Sequence, residues 1–174
     1  MTAYAEGDAE AFDMLYDRHK GALYRYFTRQ LTQSEAHDCF QTLWLKIIDN
    51  RSRYQPSAPF SHFLFSLAHN VLMDHHRKAM RRRVDDTTDP IDLSDDTPDP
   101  AAAVEREQIR ARLHQQISDL PTHQREVWLL RQETALSTAE IAHVTGTSEE
   151  GVKSRLRYAR DKLKSGMARY AERN

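Results

Sequence analysis

Apolar residues recur every three or four positions along most of this chain, and no stretch alternates for long, so the pattern predicts helices and no sheet. Asp8 suits a helix N-cap, and after it Phe12, Leu15, Tyr16, Leu23, Phe27 and Leu31 fall at helical spacing. A second helix carries a broad stripe of Ala36, Phe40, Leu43, Trp44, Ile47 and Ile48. The third, from about Phe60, brings Phe60, Leu64, Leu67, Ala68 and Val71 to one face. Further on, Asp99 and Pro100 mark a helix start, with Ile109, Leu113, Ile117 and Leu120 predicted to face inward. Pro121 then opens a helix bearing Val127, Trp128 and Leu130.

The stretch from Ser137 to Leu163 is the most sharply patterned. Ser137 with Glu140, and Thr147 with Glu150, read as two capping boxes, so two helix starts are expected. Gly146 between them can adopt the left-handed conformation that ends one helix and turns the chain. Ala142, Gly146 and Val152 have the spacing of a helix-turn-helix. In the second helix Val152, Leu156, Ala159 and Leu163 share one face, and Glu150, Lys153, Ser154 and Arg157 the opposite one. Such a helix suits a DNA major groove, where Arg or Lys bonds guanine edges and serine and further cations hold phosphates. Arg155, Arg160, Lys162 and Lys164 would add salt-sensitive affinity blind to sequence. The same residues also suit a solvated basic helix in a small bundle, but the turn, the caps and the sorted faces together favour DNA.

Charge adds a boundary. The chain has 174 residues and a net charge of −1, yet the signs are segregated. Arg77, Lys78, Arg81, Arg82 and Arg83 precede Asp85, Asp86, Asp89, Asp92, Asp95, Asp96 and Asp99, which are interleaved with Pro90, Pro98 and Pro100. An acidic, proline-punctuated stretch without aromatics cannot bury enough surface to order itself. Residues 84–98 therefore read as a flexible acidic linker between two small helical domains, 1–83 and 99–174, the second containing the helix-turn-helix. The fold class is all-α.

The single cysteine, Cys39, excludes an intrachain disulfide and fits a reducing cytoplasm, and its helix makes a buried, inert thiol the expectation. No apolar run approaches membrane-spanning length, so no membrane insertion is expected.

Beside its apolar face, the third helix carries a second stripe of Phe63, Asn70, Asp74 and Arg77. Asn70 and Asp74 offer hydrogen bonds to base edges, and Arg77 and Lys78 offer phosphate contacts. Upstream lies the polar loop 53–59, bordered by Tyr54 and Phe60. Aromatic rings beside a basic face suit unstacked bases, and a polar loop next to them suits the pairing edge of a flipped base. Equally, Phe63 and Phe65 suit ordinary packing and Asn70 a surface amide; the helix alone leaves both open.

Four segments in order resemble the extracytoplasmic-function group of the sigma-70 family of bacterial sigma factors. GDAEAFDMLYDRH (Gly7–His19) resembles the opening helix of the group's first domain, and HDCFQTLWLKIID (His37–Asp49) its polymerase-binding helix. PFSHFLFSLAHNVLMDHHRK (Pro59–Lys78) resembles the promoter-melting, −10-reading helix. Leu120–Leu163 resembles the −35-reading domain. The resemblance implies that Asp38, Gln41 and Trp44 belong to the helix that docks on the β′ clamp helices of core RNA polymerase. It places Tyr54, Gln55 and Ser57 with Asn70 around a flipped base of the −10 element, beside Phe63, Phe65, Asp74, Arg77 and Lys78. Phe63 and Phe65 stand where the family usually has Trp and Tyr. Lys153, Ser154, Arg157 and Tyr158 fall at −35 contacts, and the C-terminal domain on the β flap. Glu150-Gly151 replace a common Gly-Thr pair, and Thr42 stands where Glu is common.

The implied partners are core RNA polymerase, promoter DNA and an anti-sigma factor, and the implied location is the cytoplasm. On this reading the linker aspartates mimic nucleic acid and discourage DNA binding before polymerase is engaged. An enzyme would need His62, His69, His75 and His76 near Asp74 as a metal site, but they point in different directions, His75 toward the core and His76 away from it. Without a paired i, i+4 motif, neither metal nor cofactor is expected. A ligand-sensing helix-turn-helix repressor explains the C-terminal half but not the Phe63/Asn70/Asp74 stripe.

Overall fold

The computed structural model describes residues 1–56, 58–83 and 102–171, with side chains for all of these but 82–83, 102–107 and 169–171. The expected linker 84–98, the helix start at Asp99 and Pro100, and Ser57 lie outside the described residues.

Among those residues the chain is helical throughout: α1 (Thr2–Ala5), α2 (Ala9–Thr28), α3 (Gln33–Asp49), a 3-10 turn (Arg51–Arg53) and α4 (Phe60–Arg83), then α5 (Ala102–Ser118), α6 (Thr122–Glu133), α7 (Thr138–Thr145) and α8 (Glu149–Ala171). The starts follow from short polar side chains meeting unpaired backbone N–H groups. Asp8 accepts from the Ala11 amide at 3.1 Å. Thr32 and Glu35 form a capping box that sets the break between α2 and α3, a signal the periodicity had passed over by running helix to Leu31. Leu31 is buried all the same.

The helix-turn-helix forms with one change. Ser137 and Glu140 close their capping box, and Gly146 ends α7 at φ 62°, ψ 33°. The Thr147 amide, however, bonds back to the Ala142 carbonyl at 3.0 Å and so still belongs to the turn of α7. Ser148, not Thr147, caps α8, its Oγ accepting from the Gly151 amide at 3.1 Å. A Cβ at Gly151 would stand 2.7 Å from Thr147 Oγ1, so a larger residue there needs the Thr147 side chain to turn aside.

Buried residues of both helical groups form one continuous cluster, from Leu23, Tyr26 and Phe27 through Leu43, Leu64 and Phe65 to Val127, Leu130, Ile141 and Val152. Each large side chain fully buried there contributes roughly 1.5–3 kcal/mol. Polar contacts cross the same seam. Glu133 on α6 accepts from Arg25 Nε of α2 and from Nη1 of Arg29, which caps the end of that helix, each at 2.8 Å. Glu126, two turns earlier, is 1% exposed and accepts from the Tyr26 hydroxyl at 2.8 Å. α7 packs on α4.

Two expectations about the core are corrected. Ile109 and Leu113 do not face inward; they are 40% and 37% exposed, because the described part of α5 reaches the core only through its last turn and the following Leu120. There Gln116 is buried against Gly166 of α8, where a side chain would collide with it. Ile48 likewise reaches solvent from α3.

Candidate polymerase and nucleic-acid interfaces

Three surfaces carry the residues singled out from the sequence. On α8 the apolar stripe is held inward, with Val152, Ala159 and Leu163 buried. Its outer face presents Lys153, Arg157 and Tyr158 to solvent, with Ser154 half-buried beside them. The Arg157 guanidinium lies over the Tyr158 ring, 5.4 Å from its centroid. Glu150 is exposed, with a carboxylate oxygen 3.7 Å from Lys153 Nζ. The face is therefore cationic, with the carboxylates of Glu149 and Glu150 at its N-terminal edge.

The second surface is assembled from a loop and α4. Tyr54, Phe60 and Phe63 form an aromatic triangle, with centroid separations of 6.1, 5.2 and 6.0 Å. Gln55 is exposed on the loop, and Asn70 is exposed two turns beyond Phe63. Asp74 follows; the Arg77 guanidinium hydrogen-bonded to it, aided by Lys46 and Lys78, holds its carboxyl below the usual range. Asp74 is thus charged and already paired, with Lys46 Nζ 3.9 Å from its other oxygen. Arg77, Lys78 and Arg81 extend the positive edge.

Phe65 is not part of that surface. It is 2% exposed, on the opposite side of α4, with its ring edge-on to Tyr26 at 5.7 Å. A stripe two residues out of step with Phe63 cannot share its face on a helix.

The third surface is the outer face of α3. Asp38 and Gln41 are exposed, and the Gln41 amide lies 2.8 Å from His37 Nε2. Trp44 is buried instead, in an aromatic nest of Phe12, Tyr16 and Phe40. The exposed apolar member of the face is Leu45, 60% exposed and one turn beyond Gln41, with Ile48 following. The sequence carries a signal for it, since Asp38, Gln41, Leu45 and Ile48 recur at three- and four-residue steps opposite the inward stripe.

The remaining candidates resolve differently. Cys39 is buried, and burial first, with Glu35 and Asp38 nearby, pushes its thiol up to about 11. His75 and His76 are both half-buried, so His76 does not point away as the helical projection suggests. His75 Nε2 lies 3.1 Å from Glu35. Among the described residues no group of His, Cys, Asp and Glu has the geometry to hold a metal ion. No helix among them is long and apolar enough to cross a membrane.

Comparison with known families places two matches on these elements. The model for Sigma-70 region 2 matches residues 15–82, and the model for Sigma-70, region 4 matches residues 110–163. The ECF RNA polymerase sigma factor SigL of Mycobacterium tuberculosis is 33% identical over 163 residues, covering 91% of this chain and 90% of that protein. The ECF RNA polymerase sigma factor RpoE of Cereibacter sphaeroides is 30% identical over 164 residues, 92% of this chain and 86% of that protein. The RNA polymerase sigma factor CarQ of Myxococcus xanthus is 27% identical over 171 residues, 94% of this chain and 93% of that protein. In fold the chain is similar to the sigma factor RpoE of Bartonella quintana, solved with the anti-sigma factor NepR, at a TM-score of 0.77 and 19% identity over 92% of this chain and 98% of that one. It is also similar to CnrH, solved with the cytosolic domain of CnrY, at 0.67 and 24% identity over 96% and 94%.

Proposed function

The chain belongs to the sigma-70 family, among its extracytoplasmic-function members, and we propose how its surfaces share the work of a promoter-directing sigma factor. It brings core RNA polymerase to particular promoters and starts transcription there; it is an initiation factor, not a catalyst. The observation that carries this reading is the presence, on one chain, of two unlike exposed surfaces, each suited to nucleic acid. One is a single cationic helix of a helix-turn-helix, and the other an aromatic and amide cluster beside a basic helix.

The α8 face reads the −35 duplex. Arg157 and Lys153 suit guanine edges, worth about 1–3 kcal/mol of discrimination for a good bidentate pair, while Ser154 and Tyr158 hold phosphates. The α4 surface takes the melted −10 strand. Tyr54 and Phe63 stack on an unpaired base, worth about 1–3 kcal/mol, with Gln55, Ser57 and Asn70 at its pairing edge and Arg77 and Lys78 on the backbone. Because these contacts exist only with unpaired bases, binding energy is converted into strand opening. Asp74, held by Arg77 and Lys46, helps Asn70 choose the −10 sequence.

Asp38 and Gln41, with Leu45 between flanking polar residues, form the face for the β′ clamp helices, and Trp44 holds that face from beneath. Residues 1–83 act as the polymerase and −10 domain and 99–174 as the −35 domain seated on the β flap, joined by the acidic segment 84–98. The protein works in the cytoplasm, under the control of an anti-sigma factor, as RpoE of Bartonella quintana is found with NepR. Aspartates of the linker screen the DNA faces in the free protein; unchanged DNA affinity after Asp→Asn replacement there would dismiss that role.

Run-off transcription with core polymerase on genomic promoter fragments tests the reading. Core-dependent, promoter-specific transcripts, reduced by Asn70→Ala and Arg157→Ala, are expected. Duplex binding without any binding to core polymerase would instead favour a repressor.

A further inference from the structure

Three histidines of α4, His62, His69 and His76, stand seven residues apart and so lie along one stripe of the helix. Each meets the C-terminal helices. The His62 ring lies 4.9 Å from that of His143 on α7, with Glu140 of α7 within electrostatic reach. His69 Nδ1 is 2.6 Å from Glu126 Oε1 on α6, the same oxygen that accepts from Tyr26 of α2. His76 is half-buried within electrostatic reach of Arg125 and Glu126 on α6, with His75 on its own helix and Glu35 on α3 also acting on it. At both ends of the row the Nε2 atom is enclosed with no hydrogen-bond partner among the described residues. The proposed DNA and polymerase surfaces make no use of this row.

We propose that the His62–His69–His76 row is a proton-responsive catch between the two domains, closed when its end histidines are neutral and released when they are charged. The geometry sets the direction. A proton added at His62 or His76 Nε2 places a charged donor in an enclosed position with no acceptor, whereas in the separated domains it meets water. Beside His76, Arg125 adds repulsion, while Glu126 and Glu35 act against it. Burial first, then His75 and Arg125, depress the His76 imidazole below its ordinary value. A depressed histidine binds more protons in the open state, so closure is fully favoured above the ordinary imidazole range. That closure weakens as the pH falls through the range toward the depressed value. Because Glu126 favours the charged His76 in the closed arrangement, it sets how far the pH must fall before the catch opens.

Energy transfer between labels on the full chain, attached through Met14→Cys and Lys164→Cys, reads the separation directly and does not depend on transcription. Buried Cys39 is left in place. Transfer is expected to be high at pH 8 and to fall several-fold by pH 5.5 while circular dichroism holds constant. The His62→Gln/His76→Gln variant is expected to stay closed at pH 5.5, and the corresponding single variants to lose part of the response. Glu126→Gln is expected to open at higher pH than the parent chain. Unchanged transfer across this range in a helical parent chain would overturn the proposal. So would an equal acid response in the double variant; if that variant loses helicity, an undiminished response in both single variants decides against it.

Discussion

The two proposed DNA-reading surfaces are built in opposite ways. The −35 surface lies on one helix, whose reading residues form an exposed stripe and whose packing residues form a buried one. The −10 surface draws on a loop, the start of α4 and a stripe two turns long, with Tyr54, Phe60 and Phe63 half-buried against one another. On α8, exposure follows from periodicity, because the whole apolar stripe finds a partner. In an assembled surface, the same residue type is structural or functional depending on which neighbour covers it.

Phe63 and Phe65 put that difference to its hardest test. Phe65→Ala removes a fully buried ring beside Tyr26 and is expected to destabilise the protein by about 3–5 kcal/mol. Phe63→Ala, at a half-buried position, is expected to lower stability far less and to weaken holoenzyme binding to single-stranded −10 DNA by about 1–3 kcal/mol. Denaturant unfolding and oligonucleotide binding on both variants separate the two. If Phe65→Ala left the unfolding midpoint unmoved and lost DNA binding, the core assignment would be wrong.

That pair also shows where the chain could be read from its sequence and where it could not. Helical periodicity places α2, α3, α4, α6 and the helix-turn-helix, because burial of a stripe is what stabilises each helix and the stripe is visible in the order of residues. Family resemblance adds the roles. It misplaces Trp44 and Phe65 at surfaces, because motif position says nothing of which way a side chain points. Ile109 and Leu113 mislead for the opposite reason: their spacing asks for a partner that α5 meets only in its last turn. Thr147 and Ser148 are both fit to cap a helix, and the choice rests on the backbone bond from Thr147 to Ala142. The contact of His69 and Tyr26 with Glu126 joins residues 57 and 100 positions apart, which no local pattern anticipates.

The next effect is one of readout. Arg157→Ala is expected to reduce discrimination at one −35 base pair by about 1–3 kcal/mol, whereas Arg160→Ala, farther along the helix, lowers affinity for all sequences and flattens the salt dependence. Competition binding with promoter fragments substituted base by base, at two salt concentrations, distinguishes them. A uniform loss from Arg157→Ala would make it a phosphate contact and remove the strongest contrast between the surfaces. Smaller again is the cap. Ser148→Ala is expected to lower stability by about 1 kcal/mol, and Thr147→Ala by less, because only Ser148 accepts from the start of α8. Thermal unfolding in which Thr147→Ala proved the costlier change would restore Thr147 as the cap.

The smallest stability effect belongs to Glu150, and it bears most directly on sequence preference. Its carboxylate sits at the N-terminal edge of the α8 face with Lys153 3.7 Å away, both side chains largely exposed. An exposed pair of that kind contributes at most about 0.5 kcal/mol, so Glu150→Gln is expected to leave unfolding essentially unchanged. Near phosphates, a carboxylate is repelled unless it accepts a donor from a base, and the cytosine amine is the major-groove donor that suits it. Placement in the first turn of the recognition helix, where base contacts are made, favours that role. The substitution is expected to relax the preference for cytosine at one −35 position and to leave affinity for the other sequences nearly unchanged. A gain in affinity for every sequence alike would mean that Glu150 only repels the backbone, and the −35 surface would then read DNA with its cations alone.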